Sequence, residues 1–141
     1  MTSDVYSYVK KVEEDDFVPL TSTDPGGDNA KIDPRDEGSI AKLITRRLMG
    51  SEDLSVSIAR IAPGQYHLKH HHPDGSEFYY FVKGECLVHV DGEDIVAVPG
   101  TSIYLPPNTV HSLRNEGTEV VELVCGLSKP EYAEIGLVYD E

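Results

Sequence analysis

The chain has 141 residues, enough for one domain with a proper core and too few for two. Its 25 acidic and 12 basic residues leave a formal charge of −13, which argues against nucleic acid or an anionic membrane surface as a partner, because both would be repelled. Nine Pro, twelve Gly and short alternating apolar runs favour an all-β chain over a helical one.

Residues 5–12 (VYSYVKKV) read as a strand ending at an acidic cluster, an arm free to lie on the body of the fold or on a second subunit. Residues 21–39, rich in Asp, Gly, Pro and Ser with two Asp-Pro steps, predict an extended loop, and a lid over a binding site is the sharper version of that reading. In residues 40–49, Ile40, Leu43, Ile44 and Leu48 fit a short helix face as well as a strand. The turn at residues 50–53 and the alternation after it favour a strand. In that next run Leu54, Val56 and Ile58 share one face, expected to be packed, and Ser55, Ser57 and Ala59 share a small, polar one.

The most informative stretch is residues 64–84, GQYHLKHHHPDGSEFYYFVKG. His70 and His72 stand at i and i+2, so on a strand both imidazoles aim at one point while His71 faces away. Pro73-Asp74-Gly75-Ser76 is turn chemistry that returns the chain alongside and brings Glu77 beside the pair. Two neutral imidazoles and a carboxylate suit a divalent first-row metal. On an unbroken strand Tyr66 and Leu68 share the side of the two ligands, and past the turn Tyr79 and Phe81 share the side of Glu77, so these four are the expected pocket walls. His67, with the opposite parity, is assigned a surface or packing role away from the cavity.

Further on, Asp91-Gly92 marks a hairpin between two apolar runs, with His89 in a structural or exposed role. Residues 100–115, GTSIYLPPNTVHSLRN, hold a second ordered set: Gly100, Pro106, Asn108, His111 and Asn115. Residues 118–127 read as the last long strand, and residues 129–141 as a tail with a short closing strand at 135–139.

The two sets together resemble the cupin superfamily, whose paired motifs have this order and spacing at every position but one. Asn108 stands where the family has Gly, and Asn is the non-Gly residue that best tolerates left-handed backbone. Only fifteen residues separate Gly84 from Gly100, similar to the shortest members of the family. The resemblance implies an all-β cupin barrel, a jelly-roll or double-stranded β-helix, over residues 40–128, preceded by an arm and loop at 1–39 and followed by a tail at 129–141 that packs on it. It also implies that His70, His72, Glu77 and His111 are ligands of one divalent transition metal, whether Fe, Mn, Ni, Co or Zn.

Such a centre has open positions for substrate oxygens, dioxygen or water. The expected function is therefore metal-dependent chemistry on a small oxygenated metabolite, as in dioxygenases or the cyclases and isomerases of this superfamily. The alternative is a non-catalytic module in which the metal anchors a ligand for sensing. Tyr66, Tyr79 and Tyr104 are the candidates for acid–base work, since a nearby cation lowers a phenol's pKa. Small cupins commonly pair, which makes a homodimer the expected assembly. Cys86 and Cys125 lie in apolar runs and read as free thiols. Together with the lack of a secretory signal or an apolar run approaching roughly 18 residues, they point to the cytoplasm.

Overall fold

Apolar residues at every second position leave each strand with one face to bury, and two sheets packed face to face bury both. In the computed structural model, which describes residues 4–22 and 32–141, the strands are β1 (Val18–Pro19), β2 (Ser39–Ile44), β3 (Ser55–Ile61), β4 (Tyr66–His71), β5 (Glu77–Lys83), β6 (Cys86–Val90), β7 (Glu93–Ala97), β8 (Ser102–Leu105), β9 (His111–Arg114), β10 (Val121–Leu127) and β11 (Val138–Tyr139). They form a six-stranded sheet in the order β1-β2-β3-β10-β5-β8 and a five-stranded sheet in the order β11-β4-β9-β6-β7. Every pairing between these strands is antiparallel. Consecutive strands alternate between sheets along much of the chain, as in a jelly roll.

Ile61, Phe81, Val88, Leu113, Val121 and Leu123 fill the space between the sheets. Burying each such side chain stabilises the fold by about 1.5–3 kcal/mol. The hairpin between β6 and β7 turns on Asp91 (φ 45°) and Gly92 (φ 89°), both left-handed, as a tight turn matched to strand twist requires. His89 closes it, with Nδ1 3.0 Å from Asp94 Oδ1 and Nε2 accepting from Gly92 N–H. Asn108 has φ 69°, so the asparagine does take the left-handed conformation of the glycine it replaces. Gly84 (φ +77°) is constrained twice over, because a Cβ there would lie 2.7 Å from the Val120 carbonyl oxygen.

Three local expectations are corrected. Residues 5–12 are not a strand: Val5–Tyr8 forms a 3-10 turn whose first N–H groups are met by Asp4, and Val5, Tyr6, Tyr8 and Val9 are exposed. Residues 40–49 divide into β2 and a helical turn, Arg46–Met49, because Thr45 Oγ1 caps it by accepting from Leu48 N–H and Gly50 ends it in the left-handed conformation. On β3 the face expected to be polar is the inner one. Ala59 and Ile61 belong to the core and Ser55 is buried, whereas Leu54 is exposed and Val56 and Ile58 are half-buried on the outer surface.

The arm is not wholly detached, since β1 pairs with β2. Within the 21–39 loop, residues 23–31 lie outside the described residues, and the idea of a lid falls largely on them. Past them the chain runs beside β4, where Glu37 N–H donates to the Tyr66 carbonyl at 3.2 Å. The tail is firmly held: β11 pairs with β4, Asp140 N–H donates to Lys69 O, and Arg46 forms a two-pronged ion pair with Glu134.

Candidate metal centre

His70 lies on β4, His72 one residue past its end, Glu77 at the start of β5 and His111 at the start of β9. The ladder pairs His70 directly with His111, and the turn after His72 swings Glu77 in from the other sheet. All four are buried. The two motifs are tied at their far ends as well: Gly64 N–H donates to Asn115 O, Asn115 N–H to Gln65 O, and the Asn115 amide to Ile61 O and Glu119 O.

Each imidazole is oriented through Nδ1 by a backbone carbonyl: His70 by Leu68 at 2.7 Å, His111 by Thr109 at 2.8 Å and His72 by Gly136 at 2.6 Å. A carbonyl only accepts, so in each neutral ring the proton sits on Nδ1 and Nε2 presents a lone pair. The candidate ligand nitrogens of the three histidines lie within 4.8 Å of one another. Glu77 Oε1 approaches to 3.1 Å from His111 Nε2 and 3.3 Å from His72 Nε2. His72 Nε2 is buried with no hydrogen-bond partner.

Lone pairs on three nitrogens and a carboxylate oxygen thus converge with no donor among them, an arrangement that requires a cation at its centre, either an added proton or a metal ion. Burial and the neighbouring His111 and His72 hold the His70 imidazole neutral, at a pKa of about 3. Burial opposes ionisation of Glu77, but a proton held between it and His111 or His72, one of the two cations the cluster admits, more than offsets that and keeps the carboxyl below its ordinary range. Burial likewise opposes charge on His72, and Glu77 outweighs it, raising that imidazole. A neutral His70 beside an ionised Glu77 suits a divalent ion, which would take the place of the proton favoured on His72, and carbonyls on the remote ring nitrogens are the usual support of histidine ligands.

The surrounding wall is aromatic. Tyr79 lies with its ring centroid 5.9 Å from that of His111, and Phe81 packs edge-on against Tyr79. Tyr132 stands edge-on to His72 at 5.6 Å, and Tyr139 is 6.1 Å from His70. Leu68 is buried as well. Burial pushes the phenols of Tyr79 and Tyr132 well above their ordinary value.

Two candidate tyrosines do not reach the centre. Tyr66 donates its hydroxyl to Glu141 Oε1 at 2.6 Å under the Arg114 guanidinium, and the Tyr104 side chain is exposed. The cause at Tyr66 is a bulge. His67 pairs with Leu113 and His70 with His111, three steps on β4 against two on β9, so the parity resets. For the same reason His67 is buried, the packing role of the two, and burial lowers its pKa. His71 does face away, with Nδ1 2.8 Å from Asp140 Oδ2. The sequence reading missed Tyr132, Tyr139, Gly136 and Asp36. The first three lie in a tail that carries no motif; the short strand read at 135–139 was a signal for Gly136 and Tyr139, and nothing marked Tyr132.

Comparison with known proteins agrees with the geometry. The cupin domain pattern matches residues 57–126. An uncharacterized protein of Methanocaldococcus jannaschii is 30% identical over 106 residues, 73% of this chain and 84% of that one. Polyketide synthase CurC of Streptomyces cyaneus is 31% identical over 91 residues, 64% of this chain and 59% of that protein. Among solved structures, the polyketide cyclase RemF of Streptomyces resistomycificus superposes with a TM-score of 0.69 at 16% identity, covering 94% of this chain and 85% of that one, a likeness of fold. The fold and site define a small single-domain β-barrel whose buried histidines are able to hold a metal. The chain belongs to the cupin superfamily.

Proposed function

We propose that the protein is a metal-dependent enzyme acting on a small oxygenated metabolite, with His70, His72, Glu77 and His111 as the ligands of a divalent ion. The observation that carries the proposal is the cluster of three histidine nitrogens within 4.8 Å of one another, with Glu77 Oε1 against His72 and His111 Nε2, while the Nδ1 of each of the three is committed to a carbonyl. A divalent ion held there supplies Lewis-acid or redox chemistry at substrate oxygens. Four protein ligands leave room on a five- or six-coordinate ion for such oxygens.

The chain's own residues then set what fits. Tyr79, Phe81, Tyr132 and Tyr139 give the centre aromatic flanks, which favour a flat, unsaturated substrate such as a phenol or an enolisable dicarbonyl compound. In the metal-free chain burial raises the Tyr79 and Tyr132 phenols, which suits them to donate hydrogen bonds to substrate oxygens. The likeness to polyketide synthase and cyclase proteins supports this substrate class.

The test is metal analysis of protein purified without chelator, followed by reloading with single ions and a screen of catechols, flavonols and β-diketones for turnover. An oxygen electrode separates an oxygenase from a cyclase or isomerase. Metal-dependent binding without turnover of any class would favour a ligand-sensing module, and a protein that takes up no divalent ion would refute the proposal.

A further inference from the structure

The bulge in β4 leaves Leu68 and Lys69 without partners on β9; Lys69 N–H donates to Glu141 Oε2 at 2.7 Å, and the other amide belongs to Leu68. That N–H donates to Asp36 Oδ1 at 2.7 Å. The second carboxylate oxygen accepts from the Tyr139 hydroxyl at 2.6 Å, and the same hydroxyl accepts from Asp33 N–H at 2.8 Å. Asp36 is only 8% exposed. A buried carboxylate is costly unless its oxygens are bonded, and here both are.

What these bonds hold is the site. The carbonyl of Leu68, whose N–H Asp36 fixes, orients His70 through Nδ1. Tyr139, which holds the other carboxylate oxygen, is the backbone partner of His70 across β4 and β11. Three residues earlier in the same tail, the Gly136 carbonyl orients His72. Gly136 is itself in the left-handed conformation (φ +78°), with Pro73 so close that a Cβ would lie 2.8 Å from its ring. One acidic side chain therefore joins the bulge, the segment before β2 and the C-terminal strand, two of which present carbonyls to ligand histidines.

We propose that Asp36 is a positioning residue for the metal centre: it holds the bulge in the register at which His70 Nε2 meets its partners, and through Tyr139 it fastens the tail that orients His72. This rests on the reading of the four-residue cluster as a metal site. A bulge re-aims a side chain only while its spare amide is satisfied, and residues that orient a metal ligand govern affinity without touching the ion.

The experiment measures Zn(II) and Co(II) dissociation constants by chelator competition, the visible spectrum of the Co(II) form, and thermal unfolding of the metal-free protein. It compares the parental chain with Asp36→Ala, Asp36→Asn, Tyr139→Phe and, as a control, Glu134→Gln, which weakens a surface tail contact away from Asp36. Asp36→Ala is expected to weaken binding by about 10–100-fold and to change the Co(II) spectrum. Asp36→Asn, which keeps an acceptor for Leu68 N–H, is expected to restore most of the affinity, and Glu134→Gln to leave both readouts unchanged. Parental affinity and spectrum in Asp36→Ala, with only a lower melting temperature, would overturn the proposal and leave the metal reading intact. If Asp36→Ala does not fold, Tyr139→Phe carries the test, and an unchanged affinity and spectrum there would overturn it equally. A parental chain that binds neither ion would instead overturn the metal reading on which the proposal stands.

Discussion

Replacing Glu77 by glutamine separates the two cations that its surroundings admit. In the parental site Glu77 Oε1 lies 3.1 Å and 3.3 Å from two imidazole nitrogens that already spend their own protons on backbone carbonyls. A glutamine of the same shape presents an amide with two donors to those lone pairs, so the metal-free site becomes self-satisfied, a gain of about 1 kcal/mol for each hydrogen bond formed. The same change removes an anionic ligand. Loss of a group that merely orients a ligand costs about 10–100-fold in affinity, so loss of a ligand is expected to cost at least about 100-fold, or about 2.7 kcal/mol. At a fixed excess of metal, ion-dependent stabilisation falls by that amount, which for a chain of this size is a thermal shift smaller by about 8 °C. Calorimetry of both proteins, stripped and reloaded, is the assay. Equal metal-dependent shifts would show that Glu77 is not a ligand. A metal-free Glu77→Gln protein less stable than the parent by more than about 2 kcal/mol would show that a proton, bridging Glu77 and a histidine, is the cation the site holds.

Three other predictions follow from the geometry. Gly84→Ala meets both a left-handed backbone and the fixed Val120 carbonyl, whereas Gly64→Ala meets only the first, so urea unfolding should show about 2–5 kcal/mol lost in the former and about 1–2 in the latter; equal losses would discount the close approach. Metal-free protein should lose stability as pH falls below 6.5, because an unfolded chain then takes up a proton that His70, with a folded pKa of about 3, refuses. His72, raised by Glu77, acts oppositely but only above that pH, while His67, lowered by burial, acts with His70; His70 by itself predicts a fall of about 2 kcal/mol by about pH 5, His67 adds to it, and a flat profile in urea titrations would contradict it. The exposed Val5, Tyr6, Tyr8 and Val9 in the arm favour a homodimer, to be checked by light scattering on the full chain and on one lacking residues 1–12; an unchanged monomer in both would refute it.

The meeting of His70, His72 and Glu77 was legible because its signals are local, and His111 joined them only through the resemblance of the second motif. His70 and His72 two apart, a Pro-Asp-Gly turn and Glu77 just beyond it are facts of neighbouring residues, and strand geometry turns them directly into positions. Asn108 was readable for the same reason, as a question of one residue's φ. Parity fails at the first irregularity, and the bulge before His70 moved Tyr66 out and His67 in without any mark in the residues themselves. The tail was illegible for another cause. Gly136 and Tyr139 act on residues 64 and 103 positions away, through a backbone carbonyl and a hydroxyl whose partners only the closed fold supplies.

The carbonyls behind the three imidazoles also bear on which ion the protein would carry. Rings already locked in tautomer and direction give an incoming ion little to rearrange, so discrimination by induced fit is weak. Affinity for divalent ions is then expected to follow the general order for nitrogen and oxygen donors, rising from manganese and iron towards copper and falling again at zinc. Under that order the ion isolated with the protein reflects the supply in the cell that made it, and only preparations loaded with one defined ion reveal which of them the chemistry uses.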